Sequence, residues 1–332
     1  MEHSLNGKRV LFFYLSTFNY ENEIKLAMER EGAIVDAYNE RPSNSTITRV
    51  FLKLNRNIIS RRISKYYDQI IEETKKRKYD YIFFIKGESI NKHIIRKLKD
   101  AHPEAKVIIY LWDSSVWNKN AFTMLDSFDK VFSFDRKDCQ DYRELNFLPL
   151  FYIPQYAEIS RNTKPAIYKM MFVGTVHSQR YEFVTGIVNQ IETAGGKCFT
   201  WFYFPSRLSF YKLKWDNKNF RNAKINEFKF IPLKRNELLN YYEKSLIQID
   251  LHDPLQTGLT MRTIETLGAK KKLITTNKDV VNYDFYRKEN VLIVDKDNPI
   301  ITKEFLDAPW TEIPDEIYKK YSISSWLNTI FK

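Results

Sequence analysis

Short apolar runs of strand length alternate with helical segments along this chain, and the alternation starts a second time past its midpoint. Residues 8–15 (KRVLFFYL) are long enough for a buried strand and too short for a helix. They end in Ser16-Thr17-Phe18-Asn19, which can cap a helix over residues 20–31. Gly32 stops that helix, and residues 33–38 read as a second strand. A long basic helical region follows over 45–78, then strands at 79–85, 107–111 and 130–134 with helical segments between them. Pro149 and Pro154 interrupt residues 148–156, and residues 158–165 (EISRNTKP) have no apolar period, so a boundary falls there. The pattern then resumes with a strand at 169–173, a Gly174-Thr175 turn, a helix at 178–194 and strands at 198–204 and 246–251. A helix at 259–267, a strand at 272–275 and an amphipathic helix at 314–331 complete it. Such alternation predicts parallel sheets covered on both faces. The 332 residues exceed what one core usually serves, so two α/β domains facing across a cleft are expected, with ligand between them.

Several function classes fall away at this level. Only nine glycines are present, and neither GxGxxG nor GxxxxGK[ST] occurs, which argues against dinucleotide oxidoreductases and P-loop enzymes. The formal charge of +12 favours anionic partners. Nucleic acid is set aside, because the basic residues are spread out and no recognised motif appears. Two cysteines make no disulfide framework and suit a reducing cytoplasm. Residues 1–8 lack a signal-peptide core, and no run approaches the roughly 20 apolar residues of a membrane span. The expectation is a cytoplasmic protein whose membrane contact, at the inner face of the plasma membrane, is peripheral.

The chemistry concentrates in residues 257–277. Gly258 opens a helix whose first turn carries Thr260 and Arg262, groups that hold phosphate at a helix N-terminus. Glu265 follows Arg262 by three residues, on the same helix face. A carboxylate repels phosphate but accepts hydrogen bonds from sugar hydroxyls, so the pair spells phosphate plus ribose. A second helix start, Gly174-Thr175-Val176-His177-Ser178-Gln179-Arg180, again joins a strand, a glycine and an arginine. His177 can donate to a phosphate oxygen or a leaving group. Residues 250–254, including His252, end a strand at the cleft edge, where they can meet sugar or base.

These features resemble those of GT-B glycosyltransferases: two Rossmann-like halves with a G-x-T-x-R-x-x-E helix in the second. More narrowly, Phe172-Val173-Gly174-Thr175 with Arg180-Tyr181, Ser133-Phe134-Asp135 with Asp138, and Leu148-Pro149-Leu150-Phe151-Tyr152 resemble bacterial capsule and lipopolysaccharide glycosyltransferases related to the CgeB group. The resemblance implies an acceptor-side domain over 1–157, a nucleotide-sugar domain over 166–312, and a helix at 313–332 packing back on the first domain. It implies donor binding by Gly174, Thr175, Arg180, His252, Gly258, Thr260, Arg262 and Glu265, with Glu265 on the ribose and Thr260 and Arg262 near the diphosphate. No metal or other cofactor is implied, because helix dipoles and basic residues manage the leaving charge in such enzymes. Thr257 stands where the commonest retaining enzymes carry the first of two glutamates, so retaining chemistry does not follow.

An inverting transfer needs a base at a strand end of the first half. Asp113, after the strand at 107–111 and beside Trp112 and Trp117, ranks first; Glu88, after YIFFIKG, ranks second. Asp135 fits a helix cap better. Within residues 49–78, Arg49, Lys53, Arg56, Arg61, Arg62 and Lys65 interleave with Phe51, Leu52, Leu54, Ile58, Ile59 and Ile63. That region reads either as an interfacial helix serving a lipid-linked acceptor or as a surface helix with a core stripe. The sequence thus predicts a glycosyltransferase of surface-polysaccharide assembly, acting on a glycan or lipid-linked glycan. A non-catalytic module of the same fold in envelope or spore-coat assembly is the alternative.

Overall fold

The computed structural model describes residues 5–16, 19–42, 60–162, 164–176, 178–217 and 220–332. The chain forms two compact units. The first runs to Pro149 and adds Leu255–Gly258 and Ile323–Lys332; the second comprises Leu150–Pro254 and Leu259–Ser322.

The first unit is built on a six-stranded parallel sheet of β1 (Arg9–Tyr14), β2 (Ile34–Asn39), β3 (Tyr81–Ile85), β4 (Lys106–Leu111), β5 (Lys130–Ser133) and β6 (Leu145–Phe147), in the order β2-β1-β3-β4-β5-β6. Its central strands read as continuous apolar runs because both faces are covered. Phe12 and Phe83 are register partners with ring centroids 5.6 Å apart, and Phe13 and Phe84 stack at 4.6 Å on the opposite face. The Phe12 face is covered by the C-terminal helix Ile323–Phe331. There the buried Trp326 packs 4.8 Å from Tyr110, and Phe331 lies 5.3 Å from Phe83. The Phe13 face is covered by helices that include Ser60–Thr74 and Lys92–Ala101, whose Ile63, Tyr67, Ile70, Ile94 and Leu98 join the same core.

That arrangement decides between the two readings of the basic region for the part described. Ile63 is buried, while Arg61, Arg62 and Lys65 face solvent, so Ser60–Thr74 is a surface helix whose apolar stripe belongs to the core. The rest of the interleaved pattern, at 49–59, lies outside the described residues. Among the described residues no helix is long and apolar enough to cross a membrane.

The second unit repeats the plan. Strands β7 (Tyr168–Thr175), β8 (Cys198–Tyr203), β9 (Phe228–Lys229), β10 (Ser245–Asp250), β11 (Lys272–Thr275) and β12 (Val291–Ile293) lie parallel in the order β12-β11-β10-β7-β8-β9. The chain winds outward from β7 in one direction and from β10 in the other. The carboxyl ends of β7 and β10 therefore flank the switch point, where doubly wound sheets bind ligands. In the first unit the corresponding point lies between β1 and β3.

The two parallel sheets that the alternation predicts are both present. The pattern missed β6, β9 and β12, edge strands of two or three residues with no room for a period. The predicted helix at 314–331 is two helices, Asp315–Lys320 and Ile323–Phe331. At the break, the Tyr152 amide donates to the Tyr321 carbonyl at 2.8 Å.

Candidate functional site

At the switch point of the second sheet two arginines lie side by side, each fastened to strand-end carbonyls. Arg262, in the first turn of the helix Met261–Gly268, donates through Nη1 to the Ile249 carbonyl at 3.2 Å and through Nη2 to the Val173 carbonyl. Its guanidinium lies 5.1 Å from the centre of the Phe172 ring. Arg180, in the first turn of the helix Ser178–Thr193, donates to the Thr175 carbonyl at 2.8 Å and to the Leu251 carbonyl at 3.5 Å. Together they span the ends of β7 and β10. Burial holds the Arg180 guanidinium below its ordinary proton affinity, the Arg262 charge adds to this, and Asp250 and Asp253 oppose it. Arginine stays charged regardless.

Gly174 leaves room for this arrangement. A Cβ there would lie 3.3 Å from Arg262 Nη2 and 3.1 Å from the tip of Phe172. Among the described residues neither arginine has a carboxylate within ion-pair distance, and Arg180 Nε is buried without a hydrogen-bond partner. The two arginines are thus half-buried like charges that donate to neutral carbonyls, with Asp250 and Asp253 close enough to act on Arg180 through space.

Around them lie the other residues singled out in the second half. Thr260 caps the arginine helix, its hydroxyl accepting from the Thr263 amide at 3.3 Å. The Thr263 hydroxyl donates to the buried Asp250 at 3.3 Å. His252 Nδ1 lies 2.8 Å from the Thr276 hydroxyl; burial lowers its pKa while Asp250 and Asp253 pull it up, and the ring is neutral near pH 7. Glu265 accepts from the buried Tyr242 hydroxyl at 3.4 Å. Burial, and then Glu265, raise the Tyr242 pKa, so that phenol remains a donor. Thr175 closes β7 with its side chain exposed and its carbonyl on Arg180. His177 lies outside the described residues.

Gly258 serves differently from its reading as a phosphate turn. Its amide donates to Asp135 at 3.0 Å, and the Thr257 amide and hydroxyl donate to the same carboxylate at 2.8 and 2.6 Å. Asp135 also caps the helix Arg136–Asp141 through the amides of Lys137 and Asp138. The amides of Thr257 and Gly258 are therefore already engaged. A Cβ on Gly258 would lie 2.4 Å from the Phe134 ring, so glycine is needed for close packing within the first unit.

The polar cluster at the carboxyl edge of the first sheet is centred on Lys86. Its ammonium lies 2.6 Å from Asp113 and 3.7 Å from Glu88, and Glu88 also pairs with Arg41. Thus Asp113 and Glu88 meet on one lysine. They differ in access: Asp113 and Lys86 line a pocket of about 60 Å³ with Tyr14, Tyr20 and Trp112, and Glu88 does not. Trp117, the other aromatic beside Asp113 in sequence, is exposed and outside that pocket.

Lys86 and Gly87 both have left-handed backbone, with φ of 85° and 68°. Such strain in a non-glycine residue persists only where surroundings enforce it. Here the enforcing group is Glu40, which the sequence reading missed. Its fully buried carboxylate accepts from the amides of Gly87, Glu88 and Ser89 at 2.7, 2.9 and 3.4 Å. Burial pushes its pKa up to about 7 against the pull of those amides. Asn118 and Asn120 hold the Lys86 and Gly87 carbonyls from the other side. No local signal distinguishes Glu40 from a surface glutamate, because its partners lie more than forty positions along the chain.

No family model matches the sequence, and no curated protein matches it. Solved structures match along nearly the whole chain. An alpha-glucosyltransferase in complex with UDP and a 13-mer DNA containing a central A:G mismatch has a TM-score of 0.59 at 12% identity, covering 98% of this chain and 95% of that one. The trehalose 6-phosphate synthase of Burkholderia multivorans has a TM-score of 0.55 at 10% identity, covering 97% and 95%. The UDP-GlcNAc 2-epimerase of Methanocaldococcus jannaschii has a TM-score of 0.52 at 12% identity, covering 97% and 99%. At such identities the likeness fixes the fold: this chain has a GT-B-like architecture of two Rossmann-like units.

Proposed function

We propose that this protein is a glycosyltransferase that takes a sugar from a nucleotide-sugar donor. The observation that carries the reading is the arginine pair at the β7/β10 switch point, bound to strand-end carbonyls and, among the described residues, without a carboxylate at ion-pair distance. In the reaction, an acceptor hydroxyl attacks the anomeric carbon. The bond from that carbon to phosphate oxygen breaks, and a nucleoside diphosphate leaves with the electron pair. Arg180 and Arg262 stabilise the charge on that departing phosphate. Glu265 and the neutral His252 are donor contacts beside them, and Thr260 helps to present the helix start. Gly258 has only a structural share in this account.

On the acceptor side, the hydroxyl proton passes to Asp113, which has the pocket that Glu88 lacks. The acceptor is a glycan or lipid-linked glycan, and the motif resemblance favours bacterial surface-polysaccharide assembly. A second reading, a non-catalytic nucleotide-sugar-binding module, is favoured by one observation: Asp113 and Glu88 are both tied to Lys86.

Nucleotide release from a panel of nucleotide sugars separates the readings. Transfer predicts release with one donor that Asp113→Asn cuts by about 100-fold or more while donor affinity stays unchanged. Donor binding without release, or full activity in Asp113→Asn, would reject Asp113 as the base.

A further inference from the structure

We infer that the outer face of the helix Arg207–Asp216 is a docking surface for an anionic lipid bilayer. This rests on the second unit's surface and is independent of the transferase reading. The helix is apolar on two opposite sides. Phe210 is buried within the aromatic cluster of Phe204, Phe220 and Phe228, which satisfies its inward side. Leu208, Tyr211 and Trp215, spaced at i, i+3 and i+7, form a stripe on the other side and are 82%, 56% and 86% exposed. Arg207 lies over the Phe230 ring at 5.7 Å, and the residue after Phe230, Ile231, is 75% exposed. A surface helix normally turns polar residues outward, so an outward stripe of large apolar side chains marks a contact face.

The charge around the stripe selects the partner. Residues 205–235 hold nine Lys and Arg against two Asp and Glu, a local excess of seven where the whole chain has twelve. Arg207, Lys212, Arg221, Lys224, Lys229 and Lys234 are exposed. Apolar side chains rimmed by basic ones match the interface of a bilayer with acidic headgroups. A second copy of this chain would bring the same positive charge against itself. Nucleic acid would accept the lysines and stack on Trp215, but Leu208 and Ile231 offer it neither a stacking face nor a hydrogen bond.

The test is co-sedimentation of the full chain with phosphatidylcholine vesicles, with and without phosphatidylglycerol. The wild type is expected to pellet with phosphatidylglycerol vesicles, only weakly with phosphatidylcholine alone, and less as salt rises. Leu208→Ser/Trp215→Ser and Lys212→Glu/Lys229→Glu should each weaken that partition by about tenfold or more. Their thermal midpoints should not move, because those side chains lie outside the core. The inference is overturned if the wild type stays in the supernatant or if both double variants pellet like the wild type. It is equally overturned if light scattering finds a dimer, or a gel shift finds DNA binding, that Leu208→Ser/Trp215→Ser abolishes while vesicle binding persists.

Discussion

Glu40 carries more of the first unit's design than any residue that the sequence brought forward. A carboxylate with no solvent access holds three successive amides, and those amides belong to the loop that carries Lys86 and Glu88. The cost is electrostatic, and it fixes a pH dependence. The folded pKa of about 7 lies above the ordinary 4.5, so the folded state binds this proton more tightly than the unfolded one. Stability from this group is therefore greatest in acid. It falls as pH rises from about 4.5 to about 7 and levels off above, a span of about 3 kcal/mol. Glu40→Gln abolishes the slope while giving up one acceptor oxygen. In urea unfolding, the stability advantage of wild type over Glu40→Gln should shrink by a few kcal/mol between pH 5 and pH 7.5. A constant difference would mean that Glu40 is ionised throughout and that other groups absorb its charge.

At the scale of elements, the two glycines read as phosphate turns separate. Both stand at strand-to-helix passages, and composition and spacing make them look alike. Gly174 leaves room for the Arg262 guanidinium that reaches the Val173 carbonyl of β7; Gly258 is small so that its segment can lie on Phe134, clasped by Asp135. Gly174→Ala should push the guanidinium aside and weaken nucleotide binding severalfold with little loss of stability. Gly258→Ala, meeting Phe134 at 2.4 Å, should lower stability by about 1–3 kcal/mol. Thermal unfolding and nucleotide titration of the two variants check this, and identical behaviour would deny the distinction.

The arginine helix itself was legible, because its residues are contiguous: Gly258, Thr260, Arg262 and Glu265 declare a helix start with charge on one face. What contiguity could not reveal is where each group points. Arg262 turns to strand carbonyls and Glu265 to Tyr242, a direction that depends on β7, β10 and the helix Arg235–Glu243, which only the fold brings together. Lys86 was visible as part of YIFFIKG yet went unremarked as a partner, since its link to Asp113 exists only once β3 and β4 lie side by side.

At the scale of the whole molecule, the long central strands declared themselves, since parallel strands covered on both faces need unbroken apolar runs. The C-terminal segment was legible as apolar and helical, but not its break at Tyr321-Ser322, which is made by pairing with Tyr152. The helix after the break closes one face of the first sheet with Trp326. Trp326→Ala should lower stability by about 3–5 kcal/mol, read as an earlier urea midpoint. Nucleotide affinity measured well below that midpoint should stay at the wild-type value, because the arginine pair belongs to the other unit. Loss of both together would mean that the site depends on the first unit's core.

The most direct test of the account is calorimetric titration of UDP, GDP, ADP and dTDP into the wild type, Arg180→Ala and Arg262→Ala. The proposed role of the arginine pair requires that one nucleoside diphosphate bind the wild type. Each replacement should then weaken that binding by about tenfold or more, as expected when a charged hydrogen-bond donor to phosphate is removed. No binding by a folded wild type, or wild-type affinity in both variants, would contradict a nucleotide-sugar site at the ends of β7 and β10.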